Sequence, residues 1–450
     1  MKRQSIQIFG AGLCGSLLSI ILARRGFDTT VYECHKDPRT ATAPPGRSIN
    51  LAMSARGIRA LKHAGIFSLV EPLLVPMRGR FVHYKDGATE LLKYGQRPAE
   101  QIYSVSRAGL NQLLLSAAER NHGVDIRFQH EAIAFDAGCV RIGSHADGAE
   151  LLVSATPVIA ADGAGSIFRR SLDESGAIHA TETLLDHSYK ELTVPPGPGG
   201  EFRMEPGALH IWPRGGFMLI ALPNPDGDFT LTLFLPNESP NSFSNLRTPQ
   251  EIAAFFDTHF ADVVELMPDL IGTFERNPIG ILGTVRCDRW HDGGRVLLVG
   301  DAAHAVVPFH GQGMNLAFED CVVLDQILED ADCSWQDIFA RFESAQAANA
   351  NAIADMALEN YVEMRDTVRN PKYVLQKELG FELERRLPNR FIPRYSMVMF
   401  HADIPYAIAQ QRGKIQSELL DEITRDADEL RQIDIDAAER KAASRLTPLS

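Results

Sequence analysis

The chain has 450 residues, 45% of them hydrophobic and 23% charged, with a formal net charge of −13. These values are ordinary for a globular protein long enough to form two domains. The acidic balance, without a basic block, excludes nucleic acid from the expected partners. No apolar run is long enough to span a bilayer, and no N-terminal signal is present. The cysteines lack metal-ligand spacing, so we expect a cytoplasmic protein with reduced thiols and no metal site. They are Cys14, Cys34, Cys139, Cys287, Cys321 and Cys333.

The N-terminal segment carries the pattern G-x-G-x-x-G between a predicted strand, Ser5–Phe9, and a helix that extends to about residue 25. Gly10 permits a tight turn, Gly12 lets the backbone approach a pyrophosphate, and Gly15 allows the helix to pack closely on the strand. The pattern predicts a dinucleotide-binding turn. The alternative is a glycine-rich turn of an unrelated α/β domain.

An acidic residue follows at the spacing that a dinucleotide fold requires. A second strand, Thr29–Tyr32, ends in Glu33, 18 positions beyond the last glycine. A carboxylate at this place can accept hydrogen bonds from both hydroxyls of an adenosine ribose. Residues 37–45 are rich in Pro, Thr and Ala and predict an exposed loop. The Arg47 that follows faces either a phosphate or the solvent.

The next part of the chain alternates short elements. We expect helices at residues 54–64 and 107–121, and strands at residues 81–84, 91–94 and 102–105. Asp86-Gly87 is a hairpin turn between two of these strands. Arg107 opens the second helix, where it either contacts a cofactor or is a solvated charge of the first turn.

A second acidic turn follows a strand at residues 157–161. It reads Asp162-Gly163-Ala164-Gly165-Ser166 and leads into a helix that begins with basic residues. Acid and glycine at a strand-to-helix junction again suggest a turn that faces a nucleotide. The alternative is a helix cap, in which Ser166 or Asp162 accepts hydrogen bonds from backbone N–H groups.

A third acidic turn, Gly300-Asp301, follows an apolar strand at residues 295–299. Asp301 would be free to accept hydrogen bonds from a sugar-like chain. The loop Gly311-Gln312-Gly313 lets the backbone approach a flat ligand, because its glycines carry no Cβ atom. The helix that begins near Met314 directs its positive end toward that ligand and suits a group that becomes anionic. Alone, this segment could be an ordinary strand–loop–helix corner.

Residues 180–277 have a different sequence pattern, which predicts strands at 209–213, 217–222 and 229–235. Hairpins of this kind suit an antiparallel sheet that roofs a pocket. The chain after the third acidic turn is mostly helical. Near its end an apolar stripe predicts one amphipathic surface helix, packed on this domain or on another subunit. The stripe consists of Leu419, Ile423, Ala427, Leu430 and Ile433.

The three acidic and glycine-rich turns resemble those of the single-component flavoprotein aromatic hydroxylases, where all three contact FAD. Further segments resemble the members of that family that act on L-kynurenine. These segments are residues 46–52, 103–107, 209–214, 308–315 and 360–365. The resemblance extends from about residue 5 to about residue 400. Two features depart from it: His310 stands where phenylalanine is common, and a charged helix replaces the apolar C-terminal anchor of some members, so we expect no membrane attachment.

The resemblance implies an α/β fold with a Rossmann-like FAD-binding domain, an antiparallel substrate-domain sheet and a helical C-terminal region. The FAD-binding domain would comprise residues 1–75, 100–179 and 278–340. The sheet would comprise residues 76–99 and 180–277, and the helical region residues 341–450 would complete the substrate pocket.

The resemblance also implies roles for individual residues. Arg80 and Tyr94 would hold the carboxylate of an amino-acid substrate, and a guanidinium suits a carboxylate because the two groups match bidentately. Without the resemblance, Arg80 would be taken for a surface charge. The rest of the substrate pocket would be Asn360 and Tyr395 at the polar end, and Phe309, His310 and Met364 around the ring. The FAD contacts would be Gly10, Gly12, Gly15, Glu33, Ala52, Arg107, Asp162, Asp301, Gly313, Met314 and Asn315.

The implied reaction is hydroxylation of L-kynurenine at ring position 3 with NADPH and O₂, through a C4a-hydroperoxide of the flavin. One alternative is a flavoprotein hydroxylase of another anthranilate-like or phenolic acid, and another is a non-enzymatic flavin-binding redox sensor. A flavin halogenase is disfavoured because the tryptophans form no Trp-x-Trp pair. The sequence has no second dinucleotide fingerprint to place NADPH, and it leaves a homodimer open.

Overall fold

The structure, a computed structural model, describes residues 4–40, 49–136, 138–154, 157–330, 333–365 and 370–449. Arg47, for which a phosphate contact was one of two predictions, lies outside the described residues. The strands are β1 Ser5–Phe9, β2 Asp28–Glu33, β3 Asn50–Met53, β4 Val75–Met77, β5 Gly79–His83, β6 Thr89–Lys93, β7 Ile102–Ser106, β8 Val124–Phe128, β9 His130–Asp136, β10 Cys139–Ser144, β11 Glu150–Ser154, β12 Val158–Ala160, β13 Ala180–Val194, β14 Leu209–Pro213, β15 Met218–Pro223, β16 Phe229–Pro236, β17 Ile279–Cys287, β18 His291–Asp292 and β19 Val296–Leu298.

The helices connect and cover these strands. They are α1 Leu13–Arg25, α2 Ala55–His63, α3 Phe67–Val70, α4 Arg107–Glu119, α5 Ile167–Glu174, α6 Pro249–His259, α7 Ala261–Val264, α8 Leu270–Arg276, α9 Asp301–His304, α10 Gly313–Ile327, α11 Trp335–Arg365, α12 Pro371–Arg386, α13 Arg394–Phe400, α14 Tyr406–Thr424 and α15 Ile435–Arg445.

A six-stranded sheet forms the first layer, in the order β18-β19-β12-β1-β2-β8. All neighbours pair in parallel except β18 and β19. Its central strands are short and apolar: Val158, Ile159 and Ala160 of β12 have no exposed surface. Such strands are buried on both faces because helices cover a parallel sheet. The carboxyl ends of β1, β2, β12 and β19 therefore meet along one edge, which confirms the predicted Rossmann-like arrangement.

A seven-stranded sheet forms the second layer, in the order β17-β13-β16-β15-β14-β5-β6. The three strands expected between residues 209 and 235 are present with shifts of one residue. Two features correct the sequence analysis. The sheet continues past residue 277, because β17 pairs with the long strand β13. It is also not wholly antiparallel, because β5 lies parallel to β14.

Two three-stranded sheets were not predicted. One consists of β9, β10 and β11, and the other of β3, β7 and β4. The strands of the first sheet carry many exposed side chains, including Leu152 at 68% exposure, so their hydrophobic pattern is weak. In the second sheet β3 and β4 are only four and three residues long, too short for a readable alternation.

The C-terminal region is helical, as expected, but the single amphipathic helix predicted through residues 419–433 is wrong. Helix α14 ends at Thr424, and α15 begins at Ile435 after a short turn. Leu419, Leu430 and Ile433 belong to a small apolar cluster with residues of α12 and α15. The stripe thus holds several helices of one chain together. It does not form the apolar face of one continuous helix.

The helices of the described residues include none with the length and apolar character needed to cross a membrane. All six cysteines lie in the described residues and are free thiols. This agrees with the expectation from their spacing that they form no disulfide framework.

Candidate functional site

A cavity of about 1230 Å³ lies where the carboxyl edge of the parallel sheet faces the seven-stranded sheet. Helices α10, α11 and α13 close it on the remaining side. Of the eighteen residues proposed from sequence, all but Gly15 and Asn315 line this one cavity. Those that line it are Gly10, Gly12, Glu33, Ala52, Arg80, Tyr94, Arg107, Asp162, Asp301, Phe309, His310, Gly313, Met314, Asn360, Met364 and Tyr395.

The turn after β1 is shaped by its glycines. Gly10 has φ +98°, and a Cβ atom there would lie 2.3 Å from the carbonyl oxygen of Ala161. A Cβ atom on Gly15 would lie 1.9 Å from the carbonyl oxygen of Gly10, whereas one on Gly12 would meet no protein atom within 4 Å. Gly10 and Gly15 are therefore required by packing, and Gly12 leaves space on the cavity side for a ligand.

Glu33 lies beside this turn at the end of β2. Its Oε2 accepts a hydrogen bond of 2.9 Å from the backbone N–H of Ala11, and its Oε1 accepts one of 2.9 Å from the backbone N–H of His35. Burial favours the neutral acid, but these hydrogen bonds outweigh it and hold the pKa of Glu33 below its ordinary value. The carboxylate is therefore charged and fixed in place beside the turn, as a ribose acceptor must be.

Asp162 lies at the end of β12 with its two oxygens in different roles. Oδ2 accepts a hydrogen bond of 2.8 Å from the backbone N–H of Ile167, while Oδ1 is buried without a partner in the described residues. Ser166 caps α5 through the N–H of Arg169. The capping alternative is thus correct for both side chains. Burial raises the pKa of Asp162, and its second oxygen remains available to a ligand.

The third turn brings Asp301 to the cavity and is followed by α10. Gly311 precedes this helix with φ +66°, and a Cβ atom there would lie 2.9 Å from the Cβ atom of Ala52. Gly313 and Met314 are the first residues of the helix and line the cavity. The unpaired N–H groups of a 15-residue helix therefore face the space in which a flat ligand would lie.

Asn315 has a different position from the one expected of a cofactor contact. It is fully buried, and its Nδ2 donates to the carbonyl oxygens of Ala52 and Gly311, each at 2.8 Å. Its Oδ1 accepts from the backbone N–H of Ser54 at 3.0 Å. Asn315 therefore holds two cavity-lining segments together.

Arg107 is exposed at the edge of the cavity.

Arg80 also lines the cavity, and it is buried although its sequence context suggests a surface charge. Its guanidinium lies over the rings of Tyr395 and Tyr94, with distances of 5.2 and 5.9 Å to the ring centroids. Its Nη1 lies 3.4 Å from Oε1 of Glu363. Burial disfavours the charge, yet Tyr395 and Glu363 keep the pKa of Arg80 above its ordinary value. The result is a buried cation beside an open cavity.

Three rings form a stack next to this cation. Tyr395 is stacked on Tyr94, with centroids 5.4 Å apart, and on His310, with centroids 5.6 Å apart. Burial raises the pKa of Tyr94 to about 12, so its hydroxyl remains a hydrogen-bond donor. Burial lowers the pKa of His310 to about 4, and its Nδ1 has no partner in the described residues. The imidazole is therefore neutral and its Nδ1 is available to a ligand.

Aromatic and thioether groups form another part of the cavity wall. Phe309 is stacked on Tyr361 at 3.8 Å between centroids and packs against Phe234 at 5.0 Å. Asn360 donates from Nδ2 to the carbonyl oxygen of Phe309 at 2.6 Å and lies 3.3 Å from the sulfur of Met364. Helix α11 thus supplies both polar and apolar groups at the spacing of one helical turn.

The sequence analysis missed the two residues that hold Arg80 in place. Glu363 accepts a hydrogen bond of 2.7 Å from the hydroxyl of Tyr373, and the charge of Arg80 keeps the pKa of Glu363 below its ordinary value despite burial. The only sequence signal was the position of Glu363 three residues after Asn360 on the same helix. Tyr373 lies on another helix, so its approach depends on the tertiary fold.

Comparison with known proteins assigns the chain to a family. The sequence model of the FAD binding domain family matches residues 3–331. Over 448 residues the chain is 47% identical to a kynurenine 3-monooxygenase of Stenotrophomonas maltophilia (strain K279a), covering 99% of this chain and 98% of the relative.

The chain belongs to the kynurenine 3-monooxygenase family. A member from Xanthomonas axonopodis pv. citri (strain 306) is 48% identical over 452 residues, and one from Myxococcus xanthus (strain DK1622) is 43% identical over 449 residues. The family match also makes the chain an FAD-dependent monooxygenase by descent, in agreement with the resemblance found in the sequence.

Solved structures share the fold. A tetrameric 2-methyl-3-hydroxypyridine-5-carboxylic acid oxygenase matches 82% of this chain and 95% of its own with a TM-score of 0.65 at 21% identity. PqsL of Pseudomonas aeruginosa, solved in complex with 2-aminobenzoylacetate, matches 81% of this chain and 97% of its own with a TM-score of 0.62 at 21% identity. These likenesses concern the architecture alone.

The cavity fits FAD by its donor set. Gly12 leaves room at the N-terminus of α1, where a pyrophosphate gains the helix N–H groups. Glu33 is charged for a ribose, and Asp162 has a buried oxygen without a partner in the described residues. The N-terminus of α10 lines the same cavity. The cavity therefore contains the groups that would recognise the FAD of the kynurenine 3-monooxygenase family.

Alanine substitutions at Gly15 and Gly12 distinguish a glycine that packing requires from one that leaves space for a ligand. We expect Gly15→Ala to lower the free energy of unfolding by about 3 kcal/mol, because its Cβ atom meets backbone 1.9 Å away. Gly12→Ala should change the free energy of unfolding by less than about 1 kcal/mol but weaken FAD binding at least about tenfold. Denaturant titration and FAD fluorescence measure the two quantities. Equal effects of both substitutions on stability would contradict the assignment.

The buried imidazole of His310 predicts a pH-dependent loss of stability. Its pKa is about 4 in the folded protein and ordinarily 6.5, so folding disfavours its protonation. The contribution to stability is complete above pH 6.5 and decreases as the pH falls toward 4, by about 2 kcal/mol at pH 5. His310→Phe should remove this part of the difference in unfolding free energy between pH 7.5 and pH 5. His179→Phe is the control, because that side chain is 79% exposed; an unchanged pH difference in His310→Phe would refute the prediction.

Proposed function

We propose that the protein hydroxylates L-kynurenine at ring position 3, using FAD, NADPH and O₂. The observation that carries the proposal is the buried, aromatic-lined cation Arg80, which lines the same cavity as the three acidic turns. An aromatic amino acid has a carboxylate at one end and a ring at the other. Arg80 suits the carboxylate, and the Phe309 wall suits the ring.

Arg80 would bind the carboxylate through charge-assisted hydrogen bonds, which are strong when the pair is shielded from water. Glu363 is its resting counter-ion at 3.4 Å, a distance longer than a good hydrogen bond. The guanidinium therefore has donors left for a substrate. Tyr94 and Tyr395 would add hydroxyl donors, since burial raises the pKa of both phenols and keeps them protonated.

The apolar wall would set which ring carbon faces the reactive cofactor. Phe309 is held by Tyr361 and Phe234, and Asn360 fixes its carbonyl oxygen. A substrate fixed at its carboxylate and packed on this wall has few remaining orientations. Such orientation is a large part of the rate that an enzyme can supply. The neutral Nδ1 of His310 offers one polar contact beside the ring.

FAD, when bound and reduced by NADPH, supplies the activation of O₂ for transfer of one oxygen atom to the ring. The chain's own groups would hold the cofactor and exclude water. The N-terminus of α10 would stabilise negative charge on a bound flavin by about 1 kcal/mol or somewhat more when shielded. The buried aromatic rings would keep solvent away from the reacting atoms.

Removal of the Arg80 guanidinium tests the substrate site. We expect Arg80→Ala to raise the KM for L-kynurenine on the order of 100-fold, because a shielded charge-assisted contact is lost. FAD content, measured by absorbance, should not change, since Arg80 belongs to β5 and not to the turns that follow β1, β12 and β19.

Arg78→Ala is the matched control, because Arg78 lies two residues earlier and is exposed. Its KM should stay within about threefold of the parent value. An unchanged KM in Arg80→Ala, or an equal rise in both variants, would remove the substrate assignment.

The reaction itself is tested by anaerobic reduction of the purified protein with NADPH, with and without L-kynurenine, followed by admission of oxygen. We expect the substrate to accelerate flavin reduction and 3-hydroxykynurenine to form in proportion to NADPH consumed. A parallel panel of anthranilate-like and phenolic acids identifies another substrate class if one of them gives the faster, coupled reaction. A rate of flavin reduction that no aromatic acid changes would indicate a redox sensor.

A further inference from the structure

Beneath the Gly300–Asp301 turn lies a buried carboxylate that makes no contact with the cavity. Asp320, on α10, is 1% exposed. Its Oδ2 accepts hydrogen bonds from the backbone N–H of Gly300 at 3.0 Å and from Nε2 of His304 at 2.7 Å. Its Oδ1 accepts one from Nε2 of Gln346 at 2.9 Å. One side chain therefore ties the cofactor turn to α10 and α11.

The residue that Asp320 holds has an unusual backbone. Gly300 has φ +58° and ψ −141°, a conformation that only glycine adopts readily. A Cβ atom there would lie 3.2 Å from the sulfur of Cys14. A backbone in such a conformation persists when its surroundings fix it. The hydrogen bond from Gly300 to Asp320 is one such restraint, and it lies immediately before Asp301.

His304 completes the arrangement from the far end of the same short helix. Burial alone would lower the pKa of His304, but the charge and the hydrogen bond of Asp320 outweigh burial and raise it. The imidazole also packs against Trp290 with centroids 4.8 Å apart. Both ends of the segment from Gly300 to His304 are thus attached to one carboxylate, which leaves Asp301 between two fixed points.

Asp301 itself faces the cavity and makes no hydrogen bond or ion pair within the part of the chain that the structure describes. The orientation of such a carboxylate depends on how the backbone that carries it is held. We propose that Asp320, with His304, is a positioning residue that aims the Asp301 carboxylate at the hydroxyl-bearing chain of FAD. The proposal rests on FAD binding, and it does not depend on which aromatic acid is the substrate.

The test is a double-mutant cycle on FAD affinity of the full-length protein. Asp320→Asn keeps the volume but replaces one carboxylate oxygen by an NH₂ group, which cannot accept the hydrogen bonds that this oxygen receives, so we expect the Kd for FAD to rise at least about 30-fold. Asp301→Ala should also weaken binding. If Asp320 acts through Asp301, then adding Asp320→Asn to Asp301→Ala should change the Kd by less than about threefold.

Asp325→Asn is the matched control, since Asp325 is another buried acid of α10 and pairs with Arg25 and His63 away from the cavity. Its Kd for FAD should stay within about threefold of the parent value. His304→Gln provides a second, milder variant that keeps the Gly300 contact. It should raise the Kd at least about fivefold, and only when Asp301 is present. Losses that multiply in the Asp301→Ala background, or an unchanged Kd in Asp320→Asn, would overturn the proposal.

Discussion

The structure depends on one topological constraint: parallel strands place their carboxyl ends on the same edge of a sheet. Strands β1, β2, β12 and β19 come from distant parts of the chain, yet each ends at this edge. Four polar features therefore meet there that share no proximity in sequence. They are the Gly12 turn and the carboxylates of Glu33, Asp162 and Asp301. This convergence is what recognition of a long, multiply hydroxylated and phosphorylated cofactor would require.

The seven-stranded sheet adds the complementary half. Strand β5 contributes Arg80, and helix α11 contributes Glu363, Asn360 and Met364. A buried guanidinium is costly unless it is paired, and here one carboxylate and two aromatic faces share that task. Oε1 of Glu363 lies 3.4 Å from Nη1 of Arg80 and accepts a hydrogen bond from the Tyr373 hydroxyl. Glu363 therefore offsets the charge of Arg80 but leaves some of its N–H donors unused. The site thus combines a buried cation with a packed aromatic wall.

The sequence predicted the elements whose determinants are local. The turn after β1, the end of β2 at Glu33 and the start of α4 at Arg107 all follow from glycine spacing, alternation and first-turn residues. Resemblance to a family, and not pattern alone, identified Arg80, since nothing in its neighbours indicates burial.

Other features could not be read from the sequence because they join remote segments. The hydrogen bonds of Asp320 connect residues that are 16 to 26 positions apart, and Tyr373 reaches Glu363 from a separate helix. The break between α14 and α15 was missed for a related reason. The spacing of Leu419 and Leu430 fits one helix as well as it fits packing between several, and tertiary contacts decided the outcome.

An experimental structure of the protein with FAD and L-kynurenine tests the central claim most directly. The account predicts that the adenosine ribose lies on Glu33, the flavin edge on the N-terminus of α10, and the substrate carboxylate on Arg80, with the aromatic ring against Phe309. A cofactor bound away from the carboxyl edge of the parallel sheet, or a substrate carboxylate that does not contact Arg80, would contradict it.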